Sequence, residues 1–117
     1  MPQVSADVHV PLPPPVARAL AATVGEPALR LPRHVRPEPL TWRFDPEEEG
    51  TLVVLTLAYA VSPRWVRTFT HEVTQWSLAR QLRAHLAGIR AAAAAPDRVE
   101  RARSDAESDA ESDAEQA

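Results

Sequence analysis

The sequence predicts an α+β fold: an antiparallel sheet of about four strands packed by one long amphipathic helix, with a disordered acidic C-terminal tail. Three observations predict it. Val4, Ala6, Val8 and Val10 alternate with Ser5, Asp7 and His9, the period of two that marks a half-buried strand. Two apolar runs, Leu40 to Phe44 and Thr51 to Val61, flank a polar turn, the pattern of a hairpin. Leu78, Leu82, Leu86 and Ile89 recur at spacings of four, four and three, drawing an apolar stripe down one side of a helix.

Each element follows from local chemistry. The first strand, Val4 to Val10, ends at Pro11, Pro13, Pro14 and Pro15. Pro15 suits a first helical position, and Val16, Leu20 and Val24 share one face of a short helix that Gly25 and Pro27 stop. From Glu26 to Pro39, four prolines (Pro27, Pro32, Pro37, Pro39) remove backbone donors, so an extended loop is expected, with Leu29, Leu31 and Val35 docking on the core. Leu40, Trp42 and Phe44 point one way, Thr41 and Arg43 the other. Asp45 to Gly50 is the turn, where Gly50 supplies freedom at positive φ.

Thr51 to Val61 is apolar on both faces, with Val53, Leu55, Leu57, Tyr59 and Val61 on one and Leu52, Val54, Ala58 and Ala60 on the other. Such a strand is usually central and covered on both sides. Ser62, Pro63 and Arg64 break it. Trp65 to Trp76 is rich in Thr and Val and is read as a further antiparallel strand; a helical reading, with Val66, Phe69, Val73 and Trp76 on one face, competes. The leucine-striped helix then runs from Ser77 to Ala95, and Pro96 stops it. Residues 1–96 form a single domain. Residues 97–117 are expected to be disordered: Ser104-Asp105-Ala106-Glu107 repeats twice more, through Glu111 and Glu115, and these repeats have no large apolar residue to offset ordering entropy.

Composition narrows the function. About 95 residues bury roughly two-thirds of their unfolded surface, enough for one modest core and too few for a second domain. There is no cysteine, which excludes disulfides and thiolate metal sites and fits a reducing compartment. All 13 basic residues are arginine, a mark of GC-rich coding. The longest apolar stretch, Leu52 to Val61, is half the ~20 residues a spanning helix needs, and the N-terminus lacks a secretory pattern. A cytoplasmic protein without membrane insertion is expected. The net charge of −3 divides unevenly: residues 1–96 carry ten arginines against eight carboxylates, and residues 97–117 carry three against eight. The folded part at +2 has no general field for nucleic acid.

No catalytic, cofactor-binding or metal-ligating set emerges, so the chain is read as a non-enzyme. His71 and Glu72 open a zinc-protease-like pattern, but Gln75 stands where the second histidine belongs. His9, His34, His71 and His85 are scattered, and no nucleophile elbow or glycine-rich phosphate loop accompanies them. Glu47, Glu48 and Glu49 read as solvated turn residues. Arg80, Arg83 and Arg90, off the apolar stripe, are the candidate partner-binding residues. The acidic repeats match capping-box spacing and carry serines beside carboxylates, so competition with the arginine-bearing helix, or phosphorylation, is a secondary reading of the tail.

Three segments in order resemble the SsgA-like sporulation and cell division proteins of mycelial actinobacteria. Val4 to Val10 is similar to the family's opening strand. Phe44-Asp45-Pro46 followed by Val53 to Leu57 resembles its hairpin, and Val73 to Leu82 resembles its Trp-x-Phe-Ala-Arg-Asp-Leu-Leu stretch. The chain looks like a divergent or shortened member: the family's second half of strands and a closing helix is replaced by alanines and the acidic tail. The resemblance implies a non-enzymatic adaptor in septum placement or assembly, contacting proteins of the division ring, with Trp76, Leu78, Ala79, Arg80 and Leu82 at matched positions. A core with three tryptophans and two phenylalanines is small, so a homo-oligomer is expected. The rival readings are a nucleic-acid-binding regulator using Arg80, Arg83 and Arg90, and a phage or secretion-system structural component.

Overall fold

Strand β4, Gly50–Val61, is the axis of the sheet in the computed structural model, which describes residues 2–62 and 64–116. Strand β1, Gln3–Val10, runs antiparallel along one edge of β4, from Gln3 opposite Ala58 to Val10 opposite Thr51. The other edge carries β2, Val35–Pro37, and β3, Thr41–Glu47, end to end. Val35 lies opposite Val61 and Pro37 opposite Tyr59, whereas Thr41 lies opposite Thr56 and Trp42 opposite Leu55. The register therefore slips by one residue between β2 and β3, the count of a β-bulge. Glu38 N–H still donates to the Ala58 carbonyl at 2.8 Å across the slip. Pro39, which has no donor, sits where the ladder is broken.

The four-stranded antiparallel sheet is as expected, but its fourth strand is not. The segment Trp65 to Trp76 is helical, part of α2, Arg64–Ala93. Both edges of β4 are occupied without it, so a strand there has no place on the central ladder. Thr74 is buried and extends the inward stripe of Leu78, Leu82, Leu86 and Ile89 by one more turn. The Thr and Val content is a weak preference that packing overrides. The loop from Glu26 to Pro39 correspondingly contains β2, whose Val35 is buried.

Helix α1, Pro14–Val24, begins with prolines in its first turn and buries Val16, Ala17, Leu20 and Ala21. It ends where Gly25 adopts φ 84 and donates its N–H to the Ala21 carbonyl at 2.9 Å. Helices α1 and α2 cover one sheet face, α2 mainly over β1 and α1 toward β3 and β4. That face holds Val4, Ala6 and Val10 of β1 and the fully buried Val53, Leu55, Leu57 and Tyr59 of β4. The opposite face was expected to be covered as well. Leu52, Val54, Ala58 and Ala60 are instead only half-buried, because their cross-strand neighbours are the polar Gln3, Asp7, His9, Arg36, Arg43 and Asp45 and no element among the described residues roofs them.

Two further expectations are corrected at the C-terminal end. The described residues hold three helices: the short one expected after β1, the long α2, which starts earlier than expected, and α3, Pro96–Gln116, where a disordered tail was expected. Pro96 starts this helix rather than ending order: α2 closes at Ala93, the Ala94 and Ala95 N–H groups donate to Ala91 and Ala92 carbonyls, and α3 continues with Asp97 in its first turn. Ala102 is fully buried, and Val99 and Ala106 pack partly against the core. Small alanine faces let α3 approach α1 closely, so contact is gained without large side chains.

Candidate functional site

The long helix presents two opposite stripes, and 3.6 residues per turn separates them. Thr74, Leu78, Leu82, Leu86, Ile89 and Ala92 face the sheet and are buried. Val73, Trp76, Arg80, Arg83, Ala87 and Arg90, at spacings of three and four, fall on the far side and are exposed. Val73 is 69% exposed and Trp76 58%, the largest apolar side chains turned to solvent among the described residues. The Arg80 guanidinium lies over the Trp76 ring, 5.5 Å from its centre. This stacking, about 0.5–1 kcal/mol at an exposed site, holds the indole along the helix rather than free in water.

The inner side of α2 is fixed by three polar clamps. The Gln75 side-chain amide donates to the Tyr59 hydroxyl at 2.9 Å and to the Gln3 carbonyl at 3.1 Å. Gln81 pairs with the backbone of Arg30, accepting from its N–H at 2.7 Å and donating to its carbonyl at 3.1 Å. His85 Nε2 lies 2.8 Å from the Gly25 carbonyl, which assigns the proton to Nε2, and its ring meets Trp42 edge-on at 6.1 Å. The clamps tie α2 to β1, to the loop after α1 and to β3. The outer stripe is thereby carried on a rigid support.

Arg80, Arg83 and Arg90 thus lie together on one exposed face, as the sequence placed them. His85 does not join them; it points inward. His71 and Glu72 are exposed on α2. Glu47 accepts a hydrogen bond from His9 Nδ1 at 2.8 Å at the sheet end, while Glu48 and Glu49 remain exposed. Among the described residues no group of three or more His, Asp and Glu side chains converges. The acidic helix α3 packs chiefly on α1, so it does not cover the arginine stripe.

Sequence reasoning missed an apolar groove of about 360 Å³ between α1 and β3. Trp42 and Phe44, two residues apart on β3, stack at 6.1 Å with 7° between their planes and form one wall; Arg18 of α1 stands 5.3 Å above Phe44. The alternation that aims both rings at the same side was legible, but α1's position over them was not.

No protein-family model and no curated protein matches the chain. Among solved structures it is similar to TTHA0849 from Thermus thermophilus, with a TM-score of 0.54 and 20% sequence identity over 86% of this chain and 99% of that one. The likeness is one of fold. No helix among the described residues is long and apolar enough to cross a membrane.

Proposed function

We propose that the chain is a non-enzymatic adaptor that holds a partner protein on the outer face of α2, within the machinery that builds the septum in sporulation-specific cell division. The observation that carries the first part is the exposed Val73–Trp76 pair with Arg80 stacked on the indole. Trp and Arg are the residue types that most often anchor protein interfaces, and an indole already biased toward one position by Arg80 loses less freedom on docking. Arg83 and Arg90 extend the stripe as charged flanks suited to an acidic segment of the partner. The septal setting rests on the resemblance of Val4–Val10, Phe44–Leu57 and Val73–Leu82 to SsgA-like proteins, and it makes the division-ring proteins the first partners to test.

The experiment is binding of purified chain to the purified tubulin-like division protein and its septal associates. Trp76→Ala is expected to weaken the complex by about thirtyfold, the loss of about 2 kcal/mol that defines an anchor residue, with thermal stability unchanged because the ring is exposed. Equal binding by wild type and Trp76→Ala would refute the assignment. One observation favours a second reading: Arg80, Arg83 and Arg90 share a face with no carboxylate bridging to them among the described residues. A regulator that grips nucleic acid there would bind duplex DNA with steep salt dependence and lose it when the three become Ala.

A further inference from the structure

We infer that the free edge of β1 pairs with the β1 edge of a second copy, making a two-fold dimer with one continuous sheet. This inference is independent of the α2 reading. β1 is the terminal strand of the sheet, with β4 on one side and no strand on the other among the described residues. The bond from Tyr59 N–H to the Pro2 carbonyl, 3.0 Å, sets the phase of the β1–β4 ladder. By the alternation of antiparallel pairing, Val4, Ala6, Val8 and Val10 direct their backbone groups at β4, and Gln3, Ser5, Asp7 and His9 direct theirs outward. The Gln3 carbonyl agrees with this phase, since it turns away from β4 to accept from Gln75. The outward groups of Ser5, Asp7 and His9 meet no partner among the described residues, and all three residues are exposed.

Such an edge is a template for another strand, and its sequence selects a second copy. With Ala6 on the two-fold axis, Ser5 lies opposite Asp7 of the second copy and Gln3 opposite His9. Each hydrogen-bonded pair then consists of outward-directed residues, the pairs Ala6–Ala6 and Val4–Val8 between them are non-hydrogen-bonded, and the buried faces of both sheets stay on the same side. The serine hydroxyl meets a carboxylate, and no like charges oppose each other. Moving the axis to Asp7 sets two carboxylates directly opposite, which is destabilising. Moving it to Ser5 takes His9 out of the ladder. Because Gln75 already holds the Gln3 carbonyl, the two Ser5–Asp7 pairs form the firm centre of the seam. Unlike many natural edges, the outward positions carry no Lys, Pro or bulge to block pairing.

The test is the mass in solution by sedimentation equilibrium, expected at twice the 12.8 kDa chain. Ser5→Pro removes one outward donor and no bond to β4, and proline is tolerated at such edge positions. It is expected to raise the dimer dissociation constant at least tenfold while leaving the circular dichroism spectrum unchanged. Ala6→Cys, a small change on the covered face whose folding is confirmed by an unchanged circular dichroism spectrum, supplies a second check: the chain has no other cysteine, and non-bonded pairs at an antiparallel axis lie about 4.5 Å apart, within disulfide reach. Oxidation is expected to give an interchain disulfide in high yield. A one-chain mass at about 0.1 mM, weaker than any useful seam, would overturn the inference. So would a dimer indifferent to Ser5→Pro, or an Ala6→Cys chain that stays uncrosslinked.

Discussion

Gly50 shows how much a single position is asked to do. It has φ 153, and a Cβ there would overlap the Val10 carbonyl oxygen and lie 2.9 Å from the Pro11 Cα. The turn and the exit of β1 therefore meet at a point with no room for a side chain. Next to it, the fully buried Thr51 donates its hydroxyl to the Leu12 carbonyl at 2.8 Å, fastening the same corner. Gly50→Ala is expected to destabilise the protein by about 1–3 kcal/mol, the usual penalty for overpacking against backbone that cannot retreat, read as a lower denaturant midpoint with an unchanged slope. The sequence marked Gly50 for its conformational freedom. Its clearance from Val10 was invisible, because that contact joins residues forty positions apart. The partners of Gln75, Gln81 and His85 were likewise out of sight in the sequence, where an amide or imidazole beside a leucine stripe looks like surface; each finds its partner on a distant element.

Among the helices and strands, regular patterns read well and short biased ones did not. The alternation in β1, the hairpin of β3 and β4 and the leucine stripe of α2 each repeat long enough for one period to win. The Thr- and Val-rich Trp65–Trp76 run offered both periods, and the choice fell to whether β4 had an edge to spare. Helix α3 was misjudged for a different reason. Large apolar residues are the visible sign of packing, and Ala102 packs by being small. Ala102→Leu is therefore expected to lower stability by about 1–3 kcal/mol through overpacking between α3 and its neighbours. Thermal denaturation of the full chain checks it; a leucine without effect would mean that α3 does not bear on the core.

Across the protein as a unit, α1, α2 and α3 share one hydrophobic cluster with the sheet, from Val4 through Tyr59 to Ala102. Unfolding is accordingly expected to be a single cooperative transition, with far-UV circular dichroism and the fluorescence of the half-buried Trp42 environment moving together. Two separated transitions would show that part of the helical layer folds on its own. The second sheet face, half-open along Leu52, Val54, Ala58 and Ala60, and the outer stripe of α2 are both products of which side the helices chose. The arginines of the candidate site could be named in advance, since all three lie off the leucine stripe. That Trp76 stands with them in solvent followed only once its segment proved helical.

The class of fold, the central β4, the inward faces of β1, β3 and β4 and the leucine stripe were readable from the order of residues alone, because these depend on periods set by backbone geometry and repeated over several residues. The identity of the fourth strand, the order of the acidic end and the exposure of Trp76 were settled in three dimensions. Those depend on the room that other elements leave: a free strand edge, a shallow alanine face, an uncovered side of a helix. Such room belongs to the arrangement of elements in space, and no single segment encodes it.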